Sequence, residues 1–412
     1  MGKTCKTLIK SYICNSIRYF LNKMFKMKNT FFVAGFMLIL LVKPVYAQTN
    51  DTRVITTAVP FLLISPDARA AGWGDQGVAS TPDAYAQFWN ASKYAFSGET
   101  FGIGVSYTPY LSKLVNDINL LYLTHFAKIN ERSAYSVSMR YFGLGEINLT
   151  DINGEDIGTV KPNEFALDAG YGMQLSPRFS MAVTLRFIVS DLKLETSLAD
   201  ATAAKNMAFD ISGFYQSDIL DLGEANGRYR LGFNLMNMGP KIKYYRSAEG
   251  DFMPTNLKLG GQFDYIMDDY NTVTFGLETN KLLVPTPPVR DNDGTIIEGK
   301  DDNVGWMQGI FQSFGDAPGG FSEELKEFNW SAGMEYRYME AFKFRAGYFH
   351  ESEIKGKRKY ITLGAGFRYN YMNLDISYLF STAKIRTPLD GTMRFSIAFF
   401  IEKGRTGKSS EE

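Results

Sequence analysis

The chain has 412 residues, with 44 basic and 44 acidic side chains, a formal charge of zero, and 15% aromatic content. Balanced charge excludes the basic footprint of a nucleic-acid binder. Both cysteines, Cys5 and Cys14, stand near the start, and the two histidines, His125 and His350, occur in no metal-binding spacing, so the sequence offers no zinc cluster and no cofactor motif.

In chain order, the first element is a leader. Lys23, Lys26 and Lys28 precede the apolar run Phe31 to Val42, and Val45-Tyr46-Ala47 supplies the small residue at the −1 position of a signal peptidase site. Residues 1–47 therefore read as a secretory signal peptide, with Met24 and Met27 as alternative starts. The run is shorter than the roughly twenty residues a spanning helix needs. Its removal leaves 36 basic against 44 acidic residues and no cysteine.

Residues 48–99 lack strand character, yet hold the apolar stretch Pro60 to Ile64 and the glycine-punctuated run Ala68 to Gly77. A free tail seldom carries so much apolar surface. The expectation is a hatch folded into the lumen of a barrel, with Trp73, Phe88 and Trp89 as anchors and Asn90 bonding to nearby backbone. An arm clasping another protein is the alternative.

From residue 100 onward, alternating apolar and small or polar residues recur in segments of about ten residues, the length of a tilted bilayer-crossing strand. The last is the clearest, with Met393, Phe395, Ile397, Phe399 and Ile401 on one face. Fourteen strands are expected, near 100–108, 117–127, 133–142, 164–174, 178–190, 205–216, 228–237, 255–266, 271–281, 328–338, 342–349, 359–370, 372–381 and 391–401. That makes residues 100–402 an all-β, fourteen-stranded antiparallel transmembrane barrel in the outer membrane, with 403–412 as a tail. Soluble sandwiches also alternate, but their strands are shorter, about five or six residues. Arg140, Asp168, Arg186, Asp210 and Lys258 fall on the inward faces.

Connections after even-numbered strands are mostly short, and those after odd-numbered strands mostly long, with the turn 217–227 as the longest exception. Short turns face the periplasm in such barrels, so the loops near 143–163, 191–204, 238–254, 282–327, 350–358 and 382–390 are expected outside. The longest, 282–327, begins with Pro285, Pro287 and Pro288 and passes through an acidic stretch from Asp291 to Asp302. That stretch does not match a calcium-loop spacing. Trp306, Met307, Ile310, Phe311 and Phe314 then follow at helical spacing, and 322–328 suits a second short helix. Exposed apolar residues outside a membrane mark an interface, so Trp306, Ile310, Phe311 and Phe314 are candidate partner-binding residues, packing on the barrel rim being the alternative.

Several runs carry a family resemblance: A-R-A-A-G-W-G-D from Ala68 to Asp75, Q-F-W-N from Gln87 to Asn90, Ser106 to Leu120, R-Y-F-G-L-G-E-I from Arg140 to Ile147, and N-E-F-A-L-D from Asn163 to Asp168. They resemble the PorV family of the Bacteroidetes type IX secretion system, itself similar in fold to FadL-type transporters with fourteen strands and an N-terminal hatch. Where the FadL-type hatch has Asn-Pro-Ala, this chain has Asn90-Ala91-Ser92. The loss of proline removes a fixed φ.

The resemblance implies a non-enzymatic outer-membrane component. It would receive the C-terminal signal domains of exported cargo at the translocon and deliver them to the cell-surface attachment (sortase) complex. Outer-membrane lipid is the surroundings, and nucleic acid is no partner. Two other classes stay open: a FadL-like uptake channel for hydrophobic small molecules, and an outer-membrane lipid A deacylase. The last needs a nucleophile beside His125 or His350, and none is legible.

Overall fold

The computed structural model describes residues 53–151, 153–192, 203–244, 249–383 and 389–402. The leader expected over 1–47, the tail over 403–412 and parts of the loops near 191–204, 238–254 and 382–390 lie outside the described residues.

Fourteen long strands form one closed antiparallel sheet: β1 (Glu99–Pro109), β2 (Asn119–Lys128), β3 (Ser133–Gly143), β4 (Asn163–Ser176), β5 (Phe179–Asp191), β6 (Ala204–Gln216), β7 (Asn226–Met238), β8 (Asn256–Ile266), β9 (Asn271–Leu282), β10 (Asn329–Tyr338), β11 (Phe342–His350), β12 (Lys359–Tyr369), β13 (Met372–Ser381) and β14 (Met393–Glu402). Each pairs with its neighbours in sequence, and β14 closes on β1 in the register Gly102↔Phe400 to Tyr107↔Phe395. Closure removes the free edges that lipid cannot solvate. Every strand lies within two residues of its expected bounds at either end.

The pleat sorts side chains inside out relative to a soluble protein. On β5, Val183 and Leu185 are 52% and 58% exposed while Thr184 between them and Arg186 beyond are 3% and 1% exposed. An apolar outer wall of this kind is stable only against lipid. Aromatic residues ring both ends of it. Tyr270, Tyr338, Phe342, Tyr369 and Tyr371 lie exposed at the short-turn rim, and Tyr107, Tyr141, Trp330 and Phe380 at the long-loop rim. These are the interfacial girdles of a membrane barrel. Among the described residues no helix is long and apolar enough to cross a membrane.

The connection that looked too long, 217–227, is a continued hairpin. Leu220–Asp221 pairs with Asn226 and Gly227, and the true turn is closed by the Leu222 amide donating to Ala225. Short turns therefore gather at one rim throughout. Other features go beyond the expected strands, among them a short hairpin of Val289–Arg290 with Ile296–Glu298. The loop after β3 carries its own hairpin, Ile147–Thr150 with Asp156–Val160, and β7 bulges at Asn237, whose φ is 60°. Asparagine tolerates that left-handed backbone, and the bulge aims the Asn237 amide at Asp210.

The segment 53–98 passes through the lumen from the long-loop rim to the short-turn rim. Arg53 donates its amide to Ile354 in the loop after β11. Phe61 stacks on Phe142 near that rim, and short helices at Ala68–Ala71, Ala86–Trp89 and Ala91–Phe96 fill the middle before the chain enters β1. Glycines let its backbone lie against the wall. A Cβ on Gly364 would sit 2.9 Å from the Gly72 Cα, so neither position accepts a side chain without displacement.

Orientation has a direct test. With Cys5 and Cys14 replaced by serine, Asp293→Cys and Asn153→Cys are expected to react with a membrane-impermeant maleimide on intact cells, and Asp269→Cys only after lysis. The opposite pattern would turn the barrel over.

Candidate functional site

The lumen is a packed ionic core. Arg186 on β5 donates through Nε to Asp168 at 2.6 Å and through Nη2 to Asp210 at 3.0 Å, and also reaches the side chain of Asn237. Arg140 on β3 donates to the Leu62 carbonyl at 3.1 Å and lies 5.0 Å from the Phe88 ring centroid. Arg230 grips Asp264 with two bonds of 2.6 Å and donates to the Ala79 carbonyl at 3.2 Å. Lys258 pairs with Glu278 at 3.6 Å and sits over Trp89. Buried charges of this kind are tolerable when paired and hydrogen-bonded, as Arg186 and Arg230 are, while Arg140 and Lys258 rely on longer ion pairs and on the hatch rings. Arg140 and Arg230 spend donors on hatch carbonyls, so the same charges that line the wall also hold the segment inside it.

Trp73, Phe88 and Trp89 are each no more than 2% exposed. Trp89 donates its indole N–H to Asp67 at 2.7 Å. Asn90 is fully buried; its amide donates to the carbonyls of Val78 and of Gly213 on β6, both at 2.9 Å, and its oxygen accepts from the Ser92 amide at 3.1 Å. The side chain thus caps the Ala91–Phe96 helix, the position where proline is missing, and ties the hatch to the wall.

At the long-loop rim, residues 283–328 form a two-faced structure with helices at Trp306–Gln312 and Phe321–Glu324. Its base is ionic. Lys355 from the loop after β11 donates to Glu323 at 2.7 Å and Glu327 at 2.8 Å, Arg53 reaches Glu323 at 2.8 Å, and Lys281 at the end of β9 reaches Glu324 and Glu327. Burial and the neighbouring Glu324 and Glu327 raise the Asp316 carboxyl to about 6, against the Thr286 amide that lowers it.

The outer face is apolar. Phe311 and Phe321 are 75% and 77% exposed, accompanied by Met307, Phe314 and Leu325. Of the four residues singled out from the sequence, Phe311 and Phe314 are exposed here, whereas Ile310 and Trp306 are not. Ile310 is buried in a cluster with Met238 and Leu283, and Trp306 packs against the same cluster. Phe321 and Leu325 were missed, although apolar residues at 321 and 325 alternating with Glu323, Glu324 and Glu327 are legible as an amphipathic turn.

The histidines lie apart from this patch. His125 contacts the Gly102 carbonyl and the Tyr135 hydroxyl, and His350 stacks on Trp330. Among the described residues neither is hydrogen-bonded to a serine or a carboxylate, and no cluster of His, Cys, Asp or Glu suits a metal ion. Asp291 caps its own turn, accepting from the amides of Asp293 and Thr295.

The profile of the type IX secretion system protein PorV matches residues 47–289. The chain belongs to the PorV family. As a PorV-family barrel it is an outer-membrane component of type IX secretion. The match includes the hatch, nine of the fourteen strands and every run on which the resemblance was noted, and it ends before the apolar patch. No curated protein sequence matches this PorV-family chain. Solved structures similar to it include the TodX deltaS2S3 mutant monoaromatic hydrocarbon channel (TM-score 0.49, 10% identity, 82% of this chain and 98% of that one). The Pseudomonas putida toluene transporter TodX (0.46, 13%, 85% and 99%) and a Pseudomonas aeruginosa FadL homologue (0.43, 10%, 86% and 100%) are also similar.

Proposed function

We propose that this barrel binds the C-terminal signal domains of exported cargo at the type IX translocon and hands them to the surface attachment complex, using the apolar face of loop 283–328. The observation that carries this reading is the contrast between the two ends of the design. The lumen is occupied by paired charges and a hatch fixed to the wall, whereas Met307, Phe311, Phe314, Phe321 and Leu325 stand exposed on a base locked by ion pairs. Each such side chain contributes roughly 1.5–3 kcal/mol when a partner covers it, and a rigid base limits the entropy lost on binding.

In this reading Trp73, Trp89 and Asn90 serve to keep the lumen filled, and catalysis plays no part. Uptake of hydrophobic molecules would need a continuous apolar path, which the charged lining of Arg140, Asp168, Arg186, Asp210 and Lys258 does not favour.

Crosslinking in intact cells, followed by mass spectrometry of everything attached to the barrel, tests the proposal. The expected products are a translocon barrel and several exported proteins sharing one C-terminal domain, joined through loop 283–328. Recovery of neither, under conditions where other outer-membrane complexes crosslink, would reject it.

A further inference from the structure

At the short-turn rim a cavity of about 170 Å³ opens between the hatch loop 81–85 and the inner faces of β10 to β14. One water needs only roughly 10–15 Å³, so the space suits a polyatomic ligand. Five cationic side chains and four carboxylates line it. The arginines are engaged: Arg69 with Asp83 at 2.5 Å, Arg337 with Glu340 at 3.1 Å, Arg368 with Glu99 at 3.0 Å, and Arg345 with Asp375 at 2.6 Å as well as with Glu335 behind it.

Lys343 is the exception. Among the described residues it makes no hydrogen bond and has no carboxylate at ion-pair distance, although it lines the same cavity. Further polar atoms of the lining also lack a hydrogen-bond partner, namely the buried Nε donor of Arg69 and the side-chain amide oxygen of Asn373, whereas the Nε of Arg337 faces Glu335 at 3.7 Å. The two ends of an asparagine amide are interchangeable by a flip, so Asn373 offers a donor or an acceptor. Buried polar groups normally find partners. A lysine ammonium and a guanidinium N–H group left over around one cavity define a site for an oxygen-rich anion.

We infer that this cavity binds a small oxyanion of the phosphate class, free phosphate or the phosphodiester head of an inner-leaflet lipid, with Lys343 as its charge partner. Lys343 supplies a compact charge, and Arg69 supplies a directed donor. The site lies between hatch and wall at the rim opposite the apolar loop, and it stands independently of the cargo reading.

The full-length barrel, purified in a neutral maltoside detergent, is titrated calorimetrically with inorganic phosphate and, separately, with dihexanoyl phosphatidylglycerol below its micelle concentration. Saturable 1:1 binding of at least one probe is expected, weakened at least tenfold by Lys343→Met and unchanged by Lys326→Met in the outer loop. Binding of phosphate identifies the free anion as sufficient. Binding of the lipid alone identifies a head group. Binding of neither probe overturns the inference, as does equal affinity in a Lys343→Met protein that keeps its heat-modifiable migration. Should that variant fail to assemble, Asn373→Asp, which sets a carboxylate against the anion, is expected to give the same loss, and undiminished binding there overturns the inference equally.

Discussion

Serine at Phe311, Phe314 and Phe321 together is expected to leave the barrel assembled and to abolish cargo capture. The three rings are half to three-quarters exposed, so their removal opens no cavity in the folded protein. Anchors of this type typically cost about 2 kcal/mol or more each when truncated at an interface. Even with incomplete additivity, a loss of about 3 kcal/mol is roughly a hundredfold in affinity. Co-purification of cargo or translocon is expected to fall to background, with cargo retained in the periplasm and heat-modifiable migration unchanged. Truncation at Ile310 and Trp306 is expected to act differently. Those side chains pack on Met238 and Leu283, so their loss loosens the loop and increases its cleavage by added protease. Normal secretion in the triple serine variant would place the working surface on another loop.

A second large effect is expected inside the barrel. Arg186→Met leaves Asp168 and Asp210, 1% and 3% exposed, without their shared cation. Removing one partner of a buried pair costs about 3–5 kcal/mol, because the remaining charge stays desolvated. The variant is expected to show lowered outer-membrane abundance and a lower temperature for loss of the compact form in gel migration. Arg186→Lys is expected to rescue poorly, since one ammonium cannot meet two carboxylates and the Asn237 amide in a planar fork. Adding Asp210→Asn to Arg186→Met is expected to recover much of the loss by removing the orphaned charge, since Asp168 keeps Arg140 at 3.7 Å. A single Arg186→Met protein that matches wild type in both readouts would show that the ion cluster does not hold the wall.

The strands were legible because a barrel in lipid imposes one rule on every residue. Phe187 must face acyl chains and Arg186 must not, and a period of two records that demand locally. The alternation of short and long connections, and the inward placing of Arg140, Asp168, Asp210 and Lys258, follow from the same rule. The motifs from Ala68 to Asp75 and Gln87 to Asn90 sufficed for the family, since they lie within the matched residues.

Partners distant in sequence left no such record. Nothing local links Arg53 to Glu323, 270 positions away, or Asn90 to the Gly213 carbonyl. The direction in which Ile310 and Phe311 point depends on where β7 and β9 end beneath them. The unpaired state of Lys343 depends on which arginines claim the surrounding carboxylates. The sequence by itself determined the barrel, its inner and outer faces and its family, because those are set by each residue's own solvent. Only the tertiary structure decided the course of the hatch, the composition of the apolar patch and the rim cavity, because those depend on which side chains closure of the sheet brings together.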